Sequence, residues 1–199
     1  MSFFQLNIDA FRAINDLGKQ YSFLNSFMIF LAEYMVYILG LVIIAFWSTR
    51  SKKNRMMIIQ ALFAFMTAEI IGKLLGKLHL NYQPFAVLPD VNKLADHVVD
   101  NSFPSDHTIL FFSICVSVKL VHKKVGLLLL VIAFCVGISR IWVGVHYPFD
   151  VATGALIGSI SALFSYWIVP KIKFITQILN LYERVEQYVL PLKSKSKEL

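Results

Sequence analysis

The sequence predicts an all-α fold, a polytopic membrane helical bundle, and three observations lead there. The chain is 57% hydrophobic and 16% charged, with a mean hydropathy of +0.66, outside the range of ordinary soluble domains. Its apolar residues fall into runs close to the ~20 a helix needs to cross a bilayer. Its Lys and Arg residues gather in alternate loops between those runs.

The first stretch, "FFQLNIDAFRAINDLGK", mixes apolar and charged residues at roughly helical spacing, as an interfacial helix does. It lacks the basic start, short apolar core and small-residue cleavage site of a signal peptide. Five spans follow: Phe23 to Trp47, Met56 to about Leu75, about Ser105 to Val121, Val125 to Val143, and Val151 to Val169. The third is short, so its helix is expected to begin in the interfacial layer. After the fifth, "ILNLYERVEQYVL" reads as a cytoplasmic amphipathic helix and "SKSKE" as a frayed tail. No internal repeat or linker divides the chain. It is read as a single domain, 1–199, with an interfacial helix over 1–22, a transmembrane core over 23–169 and a cytoplasmic tail over 170–199.

Orientation follows from the basic residues. Arg50, Lys52, Lys53 and Arg55 follow the first span, and Lys123 and Lys124 follow the third. Lys171, Lys173, Arg184, Lys193, Lys195 and Lys197 follow the fifth. These three regions belong on the cytoplasmic side. The amino terminus, where Arg12 and Lys19 are balanced by Asp9 and Asp16, falls on the outer side with the 79–104 loop and the 144–149 turn. The net charge of +7 is therefore mostly a topology signal. Nucleic-acid binding is excluded, because the charges flank spans and form no aromatic-interleaved patch. Cys115 and Cys135 are read as buried packing residues, and no Cys/His spacing suggests zinc.

Two polar clusters interrupt the apolar pattern at span ends on that outer side: "NSFPSDHT" (101–108) and "SRIWVGVHYPFD" (139–150). Ser105 follows Pro104 and precedes an apolar run, as a helix N-cap does. A helix start offers free N–H groups and a positive dipole end to a phosphate. Arg140 can grip a phosphate in bidentate fashion. His146 and Asp150 are four apart, within reach of one another. An imidazole oriented by a carboxylate has one nitrogen fixed as donor and the other free to attack. His107 can protonate a departing oxygen, and Arg140, Ser105 and helix N–H groups can stabilise phosphoryl charge in flight. The set is equipped for phosphoryl transfer through a histidine, without a metal or other cofactor. Singly, each group has a plainer reading: Ser105 and Asp106 a cap, Arg140 a snorkelling side chain, His146 with Asp150 a structural hydrogen bond or half of a metal site. Their joint occurrence on one membrane face favours chemistry.

At these residues the sequence resembles the type 2 phosphatidic-acid phosphatase superfamily, which also includes vanadium haloperoxidases and acid phosphatases. That family has three signatures: a Lys followed by Arg-Pro; then Pro-Ser-Gly-His; then Ser-Arg, five residues, His, three residues, Asp. Pro104-Ser105-Asp106-His107 resembles the second, with Asp for Gly, and Ser139 to Asp150 matches the third at every defining position. The first is degraded. Gln83-Pro84 stands where Arg-Pro is expected, and either Lys77 or Lys73 is left to supply the missing charge. Lys73 also lies four residues after Glu69, as an ion pair within one helix would.

The layout is similar to the bacterial undecaprenyl-diphosphatase branch tied to bacitracin resistance. The resemblance implies that His146 is the nucleophile, Asp150 its orienting partner and His107 the general acid and later base. Ser105, Ser139 and Arg140 would bind phosphoryl oxygens, with Gln83, Lys73 and Lys77 as further candidates. It implies hydrolysis of undecaprenyl diphosphate, a polyprenyl diphosphate lipid, on the outer face of the bacterial cytoplasmic membrane, with phosphatidate and phosphatidylglycerophosphate as alternative substrates. A permease is the rival class, suggested by intramembrane Glu33, Glu69 and Lys73. The odd span count and the lack of an inverted repeat oppose it. Glu33 is read as protonated or bonded to Ser, Thr or Tyr of neighbouring spans, either as glue between helices or near the site. His79, His97 and His122 are read as solvated, as are Asp90, Asp96 and Asp100 of the outer loop.

Overall fold

The computed structural model describes residues 2–189 and contains no β-strand among them, only an isolated bridge between Tyr82 and Asn101. The residues Lys193, Lys195 and Lys197 and the tail "SKSKE" lie outside the described residues. Among the described residues, seven long helices organise the fold, with short helical turns at Leu17–Gln20 and Pro84–Val87. Helix α1 is Phe3–Asn15, α2 is Ser22–Ser48, α3 is Lys52–Leu78, α4 is Asp106–Val121, α5 is Lys123–Trp142, α6 is Pro148–Ile168 and α7 is Lys173–Val189.

Helices α2, α3, α5 and α6 are long and apolar enough to cross a membrane. Helix α4, the third predicted span, is not. Its 16 residues rise about 24 Å, short of the ~30 Å hydrocarbon thickness. It is instead the central pillar, wrapped by α3, α5 and α6. Ile109, Phe111, Ile114, Cys115 and Val118 are almost fully buried. A helix covered on all sides needs no polar face, which is why its sequence shows little amphipathic rhythm.

The α4–α6 crossing is close because small residues line it. Gly154 and Gly158 form a G-x-x-x-G pair, and a Cβ on either would meet backbone oxygen of α4 or its cap at 2.8 Å, Ser105 O and Ile109 O respectively. Close backbone approach replaces hydrophobic drive in lipid, where apolar tails compete equally for side chains. Ser113 of α4 borders Gly158, and on the side facing α3 the Ser165 hydroxyl donates to the Gln60 carbonyl at 2.6 Å.

The two ends of the bundle differ in character. At one end the basic loops meet, as the charge pattern predicts. Arg55 of α3 is sealed beneath α7, bonded to both carboxylate oxygens of Glu186 at 2.8 and 2.6 Å and lying over the Trp47 and Tyr182 rings. His122 corrects its expectation: it stacks on Phe46 and bonds Asn54 Oδ1 at 2.7 Å rather than facing solvent. Cys135 is likewise corrected, being exposed on the outside of α5 while Cys115 is buried.

At the other end α1 folds back over the bundle. Its Phe11 is fully buried against Ile141 and Tyr147, and Asn15 ties Asn92 to Trp142 with both ends of its amide. Lys19 bonds Asp90 at 2.9 Å, which holds its ammonium pKa above the ordinary value and the Asp90 carboxyl below its own. The loop over 79–104 is thus fastened by the amino-terminal helix.

Candidate active site

Both polar clusters reach this fastened end. Ser105 has the extended backbone of an N-cap, but its Oγ caps no helix N–H. It accepts instead from the Thr108 hydroxyl at 3.0 Å, which leaves its own O–H free to donate. The Ser105 N–H donates to the Asp150 carbonyl at 3.2 Å, so one backbone bond joins the two clusters. His107 follows in the first turn of α4, within electrostatic reach of Arg140 and His146.

The second cluster is a tight turn between α5 and α6. Gly144 makes it possible with φ of +88°, where a Cβ would also strike Val91 and the Asn92 carbonyl. His146 then projects inward, almost fully buried. Its Nδ1 lies 2.8 Å from the Ser102 carbonyl and 3.8 Å from Asp150 Oδ2. A carbonyl only accepts, so Nδ1 carries the proton and Nε2 is the bare nitrogen. The hydrogen bond that sets the tautomer is therefore made to main chain. Asp150 stands at ion-pair range, its Oδ2 accepting from the Tyr147 N–H at 2.8 Å and thereby capping α6. Burial pushes the His146 pKa below its ordinary value, against the opposing pull of Asp150. Helix α1 steadies the turn from outside: Asn7 Oδ1 accepts from the Phe149 N–H at 3.1 Å, and Phe11 packs on the Tyr147 ring.

Arg140 is 1% exposed, which removes the snorkelling reading. Its Nη1 donates to the Ala32 carbonyl at 3.0 Å and to Glu33 Oε1 at 2.9 Å, while its buried Nε has no partner among the described residues. Glu33 is thus bonded to the signature arginine, not to Ser, Thr or Tyr. Ser139 is buried, with its hydroxyl proton donated to Val136 O at 2.7 Å.

Three candidates remain, Lys73 and Lys77 on α3 and Gln83 in the outer loop. Lys73 and Lys77 border a cavity of about 460 Å³ that also touches Asp100, Asn101 and Asp106. Lys73 is exposed and 3.9 Å from Glu69. The Gln83 amide is engaged by the loop, donating to Val98 O at 3.3 Å and accepting from the Asp100 N–H at 2.8 Å. Ser102, whose carbonyl fixes the imidazole, and the Glu33–Arg140 pairing were missed by the sequence reading. A main-chain acceptor has no sequence signal; an acid in mid-span was the one available hint for Glu33.

A family model described as PAP2 superfamily matches residues 57–174, which contain both clusters. The chain belongs to the PAP2 superfamily. Two curated relatives match along nearly the whole chain. The bacitracin transport permease protein BcrC of Bacillus licheniformis is 64% identical over 198 residues, 100% of this chain and 98% of the relative. The undecaprenyl-diphosphatase BcrC of Bacillus subtilis is 31% identical over 184 residues, 90% of this chain and 93% of the relative. Among solved structures, that of Aquifex aeolicus LpxE superposes with a TM-score of 0.69 at 31% identity, covering 81% of this chain and 94% of that one. With four helices long and apolar enough to cross a bilayer, the protein is a membrane protein.

Proposed function

We propose that this PAP2 protein hydrolyses undecaprenyl diphosphate to undecaprenyl phosphate and inorganic phosphate through a phosphohistidine on His146. The observation that carries the reading is the Nδ1 bond to Ser102 O, which leaves Nε2 bare on a ring within electrostatic reach of the buried Arg140. Nε2 attacks the terminal phosphorus, the anhydride P–O bond breaks, and His107 gives its proton to the departing lipid phosphate. His107 then takes a proton from water, which attacks the phosphohistidine and frees inorganic phosphate. Arg140 and Ser105 hold the phosphoryl oxygens throughout. The Asp150 charge stabilises the imidazole as it gains positive character.

The side and the physiology belong to the same proposal. With the basic loops cytoplasmic, the site opens on the outer face of the bacterial cytoplasmic membrane. There the polyprenyl tail stays in lipid and water reaches the head group. Recycling the carrier there supports cell-wall synthesis, and removing the diphosphate that bacitracin sequesters protects the cell. The name of the undecaprenyl-diphosphatase from Bacillus subtilis supports the substrate.

One relative carries the name of a transport permease, so transport is the second reading. Two placements oppose it here: Glu33 is bonded to Arg140, and Lys73 lies on an exposed surface beside Glu69. Purified protein, wild type and His146→Ala, assayed on undecaprenyl diphosphate, phosphatidate and phosphatidylglycerophosphate separates the cases. Phosphate release from the diphosphate, absent in His146→Ala, with a phosphoenzyme trapped on rapid quenching, is expected. Preference for another lipid changes the substrate, and no release from any lipid overturns the enzymatic reading.

A further inference from the structure

We propose that Glu33 is a positioning residue for this reaction. Together with the Ala32 carbonyl it anchors Nη1 of Arg140, turning the Nε edge of the guanidinium toward the transferring phosphoryl group. The inference rests on the phosphatase reading above, in which Arg140 holds phosphoryl oxygens.

The argument begins with helix α2. Residues Phe30–Tyr34 form a π-helical turn, a local widening frequently found at functional sites. The turn lies where α2 passes the end of α5, and it directs two acceptors at one nitrogen. Ala32 O and Glu33 Oε1 accept from Nη1 at 3.0 and 2.9 Å. Both hydrogens of Nη1 are thereby used. A guanidinium has a second fork, made by Nε and Nη2, that matches two phosphoryl oxygens. In Arg140 the Nε of that fork is buried and without a partner among the described residues. A buried donor left open on a guanidinium within electrostatic reach of the His146 imidazole is what an incoming phosphoryl oxygen satisfies.

The charges fit the same role. Arg140 is sealed, whereas the Glu33 side chain is 40% exposed. Glu33 engages only Nη1, so it offsets the buried cation while leaving the Nε edge and its charge to a phosphate. An acid in mid-span is expensive to place in a membrane, and pairing with a buried site arginine gives this one a use.

The test compares purified wild type, Glu33→Ala, Glu33→Gln, Arg140→Lys and Glu33→Ala/Arg140→Lys. The readouts are phosphate release from undecaprenyl diphosphate and inhibition by orthovanadate, a mimic of the phosphoryl group in flight. Glu33→Ala should lower kcat/KM roughly 10- to 100-fold, the range for removing a partner that orients an active group. The vanadate inhibition constant should rise in parallel, with the melting temperature in detergent little changed. Adding Glu33→Ala to Arg140→Lys should do little more than Arg140→Lys alone, because the two act as a unit.

Should Glu33→Ala fail to fold, Glu33→Leu, which fills the space but cannot accept from Nη1, carries the same two readouts with the same deciding outcomes; Glu33→Gln, which keeps an acceptor oxygen, should lose less than either. A folded Glu33→Ala or Glu33→Leu enzyme with unchanged turnover and vanadate inhibition, beside an impaired Arg140→Lys, overturns the positioning role and leaves the phosphatase reading standing. A wild type that releases no phosphate overturns both.

Discussion

The imidazole of His146 is aligned by Ser102, through a 2.8 Å bond from Nδ1 to the main-chain carbonyl, while the Asp150 carboxylate waits at 3.8 Å. This division of labour separates two jobs that a single acid usually shares. The carbonyl fixes the tautomer. The carboxylate caps α6 through the Tyr147 N–H and supplies negative charge.

The division predicts different outcomes for two substitutions at 150. Asp150→Asn keeps an oxygen that can accept from the Tyr147 N–H and leaves the Ser102 bond intact, so folding should survive. Losing the charge beside the imidazole should still lower kcat by about 10- to 100-fold, as for other partners that support an active group. Asp150→Ala also loses the cap, and should lower stability by a further ~0.5–2 kcal/mol. Melting in detergent beside phosphate-release kinetics separates the two, and an Asp150→Asn enzyme with full activity would remove the electrostatic role.

Burial lowers the His146 pKa, and the attacking form is the neutral ring. Lowering the pKa keeps the ring neutral further into acid. The acid limb of kcat/KM, which reports the free enzyme, should therefore fall below pH 6.5, the ordinary value for an imidazole. In Asp150→Asn the limb should move lower still, because the carboxylate opposes the shift. A limb at or above 6.5 in the wild type would contradict the buried, neutral nucleophile.

Gln83 offers a prediction that the structure reverses. Read from the motif alone, Gln83→Arg restores a missing phosphate ligand and should keep or raise activity. Its oxygen, however, accepts from the Asp100 N–H, and Gln83 itself is 1% exposed, leaving no room for a longer side chain. An arginine cannot accept, so the Asp100 N–H would lose its partner, at about 1–3 kcal/mol. Gln83→Arg should melt earlier and turn over more slowly, which a thermal melt and a rate measurement will show.

These cases mark what the sequence made legible. Local spacing fixed His146, Asp150, Ser105 and His107, because each depends on a turn or a helix start within a few residues. Four of the five expected spans were legible because lipid imposes length and polarity on each; the third, α4, is too short to cross. The Glu33–Arg140 pair was not, since residues 107 apart share no periodicity. Neither was the Ser102 carbonyl, a main-chain atom that every residue possesses. The shortness of α4 was visible, but its central position depends on glycines of another helix. The G-x-x-x-G pair was present in the letters and its partner was not.

That pair supports a sharper test of packing against catalysis. A methyl at Gly154 would press on Ser105 O at 2.8 Å and Thr108 Cβ at 3.2 Å, next to the backbone bond joining Ser105 to Asp150. Gly154→Ala should lower stability by about 1–3 kcal/mol through overpacking, and activity more than tenfold by shifting Ser105. Gly40→Ala is the control, since its Cβ would meet nothing within 4 Å. It should hold or slightly raise stability and leave the rate unchanged. Equal rates for the two variants would show that the α4–α6 contact does not position the site.

The opposite end of the molecule should be separable from the chemistry. Arg55 is buried under α7 with both Glu186 oxygens on Nη2, Glu183 at 3.9 Å, and two aromatic faces around it. Glu186→Ala leaves the guanidinium with the weaker Glu183 contact and the rings, so the loss should be about 1.5–3 kcal/mol, the range for hydrogen bonds to charged groups. Helix α7 should loosen, read as faster amide exchange over Lys173–Val189 and an earlier melt. Phosphate release should stay within twofold of wild type, because the bonds that hold His146 and Arg140 all lie at the far end. If Glu186→Ala instead slowed turnover tenfold at a temperature where the protein remained folded, α7 would have to be coupled to the site through α3 and the central pillar.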